Sequence, residues 1–309
     1  MSLKKSTSPL KKTAPKRIPI TNEYSLFITA PCFGNLVTVD FMQSMINTQS
    51  WTADNHIPLR FYWLGNNAII TEARNRCVAE FLNDNANYSH LLFVDADVAF
   101  GVETLEKLLK ADKDVAVAPY PNKSIDWAWQ EFRMTQDPEA DYSKAGLTFN
   151  VVFEDARNGG DESAGNWGTN NLLPDKEGFL RVKRAPTGMM LIKREVFSSL
   201  ITAPYPQRVK PYRDVHKTKN LYGFFDVLTL PTGHRLGEDF AFCERVRAVG
   251  HEIWALCTAN MRHEGGAKFT GNFQEQIKTI SLLRKNDDLK DSIKEMEEKG
   301  IPWTIHKKN

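Results

Sequence analysis

Cysteine is scarce in this chain of 309 residues: Cys32, Cys77, Cys243 and Cys257 are its only thiols, and no two form a CxxC pair. That spacing excludes a disulfide scaffold and a thiol-rich metal module, and the apolar neighbours of each cysteine predict buried, reduced side chains. No uninterrupted apolar run comes near the roughly 20 residues that cross a bilayer. The opening MSLKKSTSPLKKTAPKRIP has no apolar core of a secretory signal, so the expected location is cytoplasmic. A glycine-rich phosphate loop near the first strand is also missing, which argues against a nucleotidyltransferase. There is no internal repeat.

Net charge is small, +2, but it is unevenly placed. Lys4, Lys5, Lys11, Lys12, Lys16 and Arg17 put six cations in the first twenty residues; the net +2 less these six leaves −4 for the rest. Residues 1–22 therefore read as a basic, disordered Ser/Thr/Pro-rich tail, a composition that also suits contact with a polyanion such as nucleic acid or an anionic membrane.

What the chain does have is enough apolar residues, 41%, to bury a full core. The run from Tyr24 to Pro31 predicts a buried strand, Arg60–Leu64 a second, Leu91–Val94 a third and Val115–Pro119 a fourth. Between them, Ile70, Ala73, Cys77, Val78, Phe81 and Leu82 recur at helical spacing, with Arg74 and Arg76 off that stripe; Val102, Leu105, Leu108 and Leu109 mark a shorter helix. Such alternation predicts an α/β fold with a mostly parallel central sheet flanked by helices. Ligands bind such sheets beyond the carboxyl ends of the strands, which directs attention to residues 31–35, 65–67, 95–97 and 119–122.

After residue 120 the alternation stops, and Trp127, Trp129, the Gly/Asn-rich stretch Gly159–Asn171 with Trp167, and the aromatic segment Tyr205–Phe225 (with Tyr212 and Tyr222) predict loop-rich structure. Phe179–Val182 and Gly188–Lys193 read as strands within it. Phe242, Val246 and Val249 predict a helix stopped by Gly250, Glu252–Cys257 a further strand, and Gln274 onward a charged helical region. The divisions expected are the tail at 1–22, an alternating strand and helix half at 23–122, a loop-rich half of the same domain at 123–272, and the helical region at 273–309.

The sharpest chemical feature is Leu91-Leu-Phe-Val-Asp95-Ala-Asp97, an apolar strand ending in two aspartates one residue apart. Residues i and i+2 of a strand share a face but stand two rises apart, so both carboxylates reach one ion only where the chain turns out of the sheet, which small Ala96 permits. Hard carboxylate oxygens at a sheet edge suit Mg²⁺ or Mn²⁺ carrying a diphosphate. Asp is also favoured at any strand exit as a turn former.

With three further segments the chain resembles the glycosyltransferases of the GT-A, Rossmann-like fold, family 2 and its relatives, over residues 24–270. Ala185-Pro-Thr-Gly188-Met-Met-Leu-Ile-Lys-Arg194-Glu-Val-Phe is similar to the segment that follows their acceptor region. Gly237-Glu238-Asp239-Phe-Ala-Phe-Cys-Glu-Arg245 resembles their "ED" helix start, and Met261-Arg-His263-Glu the late histidine that completes the metal shell. The resemblance implies a nucleotide-sugar-binding half at 23–122 and an acceptor-binding and catalytic half at 123–272, and transfer of a hexosyl or pentosyl group from a UDP- or GDP-sugar to a hydroxyl acceptor, with Asp95, Asp97 and His263 on Mn²⁺ or Mg²⁺. It implies Asp239, with Glu238 beside it, as the carboxylate that takes the acceptor's proton or positions the acceptor; helix capping is the plain alternative. Thr29-Ala30-Pro31 matches the place where base and ribose are held. Arg74, in Thr71-Glu-Ala-Arg-Asn-Arg, is similar to the residue near the donor phosphates; a solvated helix face is the alternative. His263-Glu-Gly-Gly266-Ala-Lys268 is similar to the HxxGxxK loop of family 8, whose lysine meets the diphosphate, but here Lys268 comes one position early.

Two other readings stand beside this one. The basic tail fits a DNA-modifying glycosyltransferase acting on hydroxymethylated bases, and the fold also fits a nucleotide-sugar-binding module without catalysis.

Overall fold

A computed structural model describes residues 24–154 and 173–285. The basic tail, the Gly159–Asn171 stretch with Trp167, and the part of the C-terminal region beyond Lys285 lie outside the described residues.

The chain opens with β1 (Leu26–Cys32), then α1 (Val39–Asp54), β2 (Leu59–Gly65), α2 (Ile70–Asn83) and β3 (His90–Val94). β1 lies between β2 and β3, parallel to both. At α1, Thr38 is the capping residue, its hydroxyl accepting the Phe41 N–H at 3.2 Å. Next come β4 (Val98–Ala99), α3 (Val102–Lys110) and β5 (Val115–Val117).

Beyond residue 120 the expected irregular stretch contains β6 (Pro121–Ile125), α4 (Trp127–Gln136), α5 (Tyr142–Ala145), β7 (Leu147–Phe149) and β8 (Val152–Phe153). These strands are two to five residues long, too short for a period of two to show in the sequence. Trp127 and Trp129, expected on a loop, sit on α4, which starts where the Asp126 carboxylate accepts the Trp129 N–H. β9 (Phe179–Arg184), β10 (Met189–Lys193) and α6 (Arg194–Thr202) follow, then the ribbon of β11 (Leu228–Thr229) and β12 (Arg235–Leu236). The described chain closes with α7 (Glu238–Ala248), β13 (Ile253–Leu256), β14 (Met261–Glu264), β15 (Lys268–Gly271) and α8 (Phe273–Lys285).

Eight strands make the central sheet in the order β2-β1-β3-β10-β5-β13-β9-β8. Only β10 and β9 run against the other six, so the sheet is mostly parallel, as expected. Strands from before and after residue 123 interleave in it. The alternation of side chains sets two apolar layers. Phe27, Leu91 and Phe93 face Cys77, Val78 and Phe81 of α2 and Phe242, Cys243 and Val246 of α7. Leu26, Ile28, Leu92 and Val94 face Phe41 and Met45 of α1 and Leu105, Leu108 and Leu109 of α3. All four cysteines are buried free thiols. No helix among the described residues is long and apolar enough to cross a membrane.

Phe225 anchors the loop-rich segment to the first layer. It is fully buried, stacked on Phe242 with ring centroids 4.4 Å apart and edge-on to Phe93 at 5.3 Å. Phe225→Ala should therefore cost about 3–5 kcal/mol of stability, read as a lowered urea midpoint; a change below about 0.5 kcal/mol would show that this ring does not anchor the segment.

Candidate functional site

β3 delivers Asp95 to the sheet edge, where the Asp95 N–H donates to the Gly188 carbonyl at 2.9 Å. Its carboxylate is held from two sides, by Arg74 Nη2 on Oδ1 at 3.0 Å and by the Tyr120 hydroxyl on Oδ2 at 3.1 Å. Arg74 was placed off the apolar stripe of α2, yet it is only 4% exposed. Burial of a guanidinium is tolerable here because Nε also faces Glu238 at 3.5 Å, so one cation is compensated by two acids. Its remaining nitrogen, Nη1, is buried without a hydrogen-bond partner.

Asp97 leaves the turn on another heading. Its Oδ1 stands 3.5 Å from His263 Nε2, and its Oδ2 takes an ion pair from Lys123. His263 is on β14 rather than on the expected loop, because β14 pairs with β4 and places His263 opposite Val98. That register sets the histidine beside Asp97 although 166 positions separate them in the chain. The Pro121 carbonyl lies 2.8 Å from His263 Nδ1. A carbonyl only accepts, so Nδ1 carries a proton and a neutral ring turns its Nε2 lone pair toward Asp97. Two lone pairs facing one another require a positive charge between them, either a proton or a shared cation.

The predicted metal set thus comes together in part. Asp97 and His263 converge, whereas Asp95 is turned toward Arg74 and Tyr120, and among the described residues no three His, Cys, Asp or Glu side chains form a metal-holding group. Two protein donors nonetheless fit Mg²⁺ or Mn²⁺, ions that keep several water or phosphate oxygens and use only one or two protein ligands.

α7 supplies the second acidic pair. Gly237 caps the helix without a side-chain bond, which leaves Glu238 free to meet Arg74. The Asp239 carboxylate accepts the Phe240 N–H at 2.7 Å, and its pKa is raised to about 6, first by burial and then by the neighbouring charge of Glu238. Tyr120 links Asp95 to His263: its hydroxyl binds Asp95, its ring packs edge-on against His263 at 4.8 Å, and burial holds its phenol well above the usual range.

The other predicted positions fall elsewhere. β1 extends to Cys32, so Thr29 and Ala30 are buried within the strand rather than at its exit, and the Thr29 hydroxyl is spent on the Tyr62 carbonyl at 2.8 Å. Pro31, half-buried, pairs across the sheet with Leu64. Lys268 is exposed and bound to Asp40 at 2.8 Å and Glu264 at 3.5 Å. The lysine at Asp97 is Lys123, which the sequence reading had missed. Tyr120 lay within the strand exit at 119–122 but had not been singled out, since only its hydroxyl contact with Asp95 marks it.

No protein-family model and no curated protein matches the sequence. Solved structures that match include A197 from STIV, 14% identical over 81% of this chain and 91% of that one, with a TM-score of 0.42. Glycosyltransferases are among them. The catalytic domain of Drosophila beta1,4galactosyltransferase 7, in complex with xylobiose, is 9% identical over 75% of this chain and 65% of that one, at 0.34. GalNAc-T7 with UDP, GalNAc and Mn²⁺ is 10% identical over 78% of this chain and 44% of that one, at 0.39. The chain spans less than two thirds of either glycosyltransferase chain. At these scores the likeness adds no weight to the geometry.

Gly188, at the entry to β10, allows the Asp95–Tyr120 contact, because a methyl group there would overlap both the Asp95 carboxylate and the Tyr120 hydroxyl. Gly188→Ala should cost about 1–3 kcal/mol, seen as a lower melting temperature; unchanged melting would show that the contact is not closely packed. For Asp239 the folded-state pKa lies above the unfolded one, so ionisation opposes folding. The penalty is absent near pH 4, grows toward pH 6 and is complete above it. Asp239→Asn should accordingly be more stable than the parent at pH 7.5 by on the order of 1–2 kcal/mol, with the gap closing on acidification. A pH-independent difference in urea unfolding would contradict the assignment.

Proposed function

We propose that this chain is a metal-dependent glycosyltransferase that moves a sugar from a nucleoside-diphosphate sugar to a hydroxyl acceptor. The observation that carries the reading is the facing pair Asp97–His263, with the ring proton fixed on Nδ1 by Pro121, at the same sheet edge as the Arg74–Asp95–Glu238 bridge and Asp239. In this reading Asp97 and His263 hold Mn²⁺ or Mg²⁺, which supplies neutralising charge for the departing diphosphate.

The chain's own residues do the rest. Asp239 accepts the acceptor's proton as the acceptor oxygen bonds to the anomeric carbon and the bond from that carbon to the diphosphate oxygen breaks. A carboxylate raised to about 6 is a stronger base than an ordinary one and is still ionised at neutral pH. Arg74, with Nη1 unpartnered, offers a buried N–H to a phosphate or sugar oxygen while fixing Asp95 and Glu238. Lys123, beside Asp97, takes the diphosphate-facing role that the resemblance gave to Lys268.

A screen of UDP- and GDP-sugars with MnCl₂, scored by nucleoside diphosphate release, identifies the donor. With that donor, Asp97→Ala should lower turnover by about 10²-fold or more while melting stays within a few degrees of the parent, and EDTA should abolish release. Full activity in the variant would remove the metal from the mechanism.

A further inference from the structure

A second cavity, of about 470 Å³, lies at the far end of α7, against the segment 206–210 and residues 223–228. Its volume is in the range of small-molecule sites. Three cations line it, Arg208, Lys210 and Arg245, and among the described residues none of the three has a carboxylate within ion-pair distance.

Of the two acids on the cavity wall, Glu244 is neutralised by arginines from outside it, whereas Asp226 is held by neutral donors and leaves the three cations in excess. Asp226 takes Asn75 Nδ2 on one oxygen at 3.1 Å and the Tyr212 hydroxyl on the other. Glu244 is bound by Arg184 at 2.7 Å and Arg247 at 3.4 Å. Arg245 is half-buried and anchored, with Nη1 donating to the Asp226 carbonyl at 2.6 Å and the Phe224 carbonyl at 3.3 Å. Two carbonyls fix the plane of the guanidinium without neutralising it, and burial draws its pKa below the usual arginine value despite the attraction of Asp226. Arg208 is likewise held, its Nε donating to the Ala203 carbonyl at 2.9 Å, and two anchored guanidinium forks with an exposed lysine beside them match an oxyanion with several acceptor oxygens better than a neutral ligand.

We infer that this cavity is a phosphate-binding site, separate from the Asp97–His263 pair, with Arg245 as its fixed donor and Arg208 and Lys210 as its outer clamp. The phosphate arrives either as the free ion or as the ester group of a phosphorylated sugar, for which the cavity has room. The site stands whether or not the chain transfers sugar, because its residues are not those of the proposed reaction.

Calorimetric titration of the full chain with inorganic phosphate and with glucose 6-phosphate, at fixed ionic strength and without metal or nucleotide, tests it. Both ligands should bind, and affinity should fall at least tenfold in Arg245→Gln and in the double variant Arg208→Gln/Lys210→Gln. The latter changes only exposed side chains and leaves the fold in place if Arg245→Gln does not. Tighter binding of glucose 6-phosphate identifies the phosphorylated sugar as the source, and equal binding identifies the free ion. Absence of binding by both ligands, or binding that is undiminished in the double variant, overturns the site.

Discussion

A guanidinium buried among the strands of an α/β sheet is tolerable only where acids meet it, and Arg74 meets two. One, Asp95, closes β3; the other, Glu238, opens α7. The bridge therefore ties the end of a central strand to the start of a helix more than 140 positions later, and it fixes where the neighbouring carboxylates stand. Asp239 follows Glu238 on the same first helical turn, where burial and the Glu238 charge raise its pKa. Tyr120 extends the network from Asp95 to the His263 ring. Removing the cation would leave several acids crowded at one sheet edge.

Asp95 and Asp97 divide their work because the chain turns where they leave β3. In a continuing strand the two would share a face; here β3 ends before them, Asp95 meets Arg74 and Tyr120, and the turn carries Asp97 away to His263 and Lys123. An aspartate pair that looks equivalent in one dimension thus becomes one acid bound by an arginine and a tyrosine and one that faces a histidine and a lysine. The β14–β4 pairing completes the arrangement, since a shift of one residue would turn His263 to the opposite face.

Much of the fold was legible in the residues. The buried strands β1, β3 and β5 and the helices α2, α3 and α7 have apolar periods long enough to read, and the four cysteines lie where their apolar neighbours placed them. The region from Pro121 to Phe153 was not legible, because its strands are only two to five residues long and its helix α4 opens on two tryptophans, residues as common in loops and cores as in helices. The burial of Arg74 was not legible for a different reason: helical periodicity sorts residues by hydropathy and carries no information about a salt partner on another element. Lys268 was drawn to the site by a spacing, whereas Asp40 on α1 holds it elsewhere.

By itself the sequence determined the alternation of elements, the acidic exit of β3 and the acidic start of α7, because each depends on neighbours within a few positions. Tertiary structure alone decided which aspartate faces His263, which lysine stands beside it, that Arg74 is buried, and that three cations from two distant segments gather around one cavity. Those outcomes depend on strand register and on charges brought together from distant segments, and no local pattern encodes either.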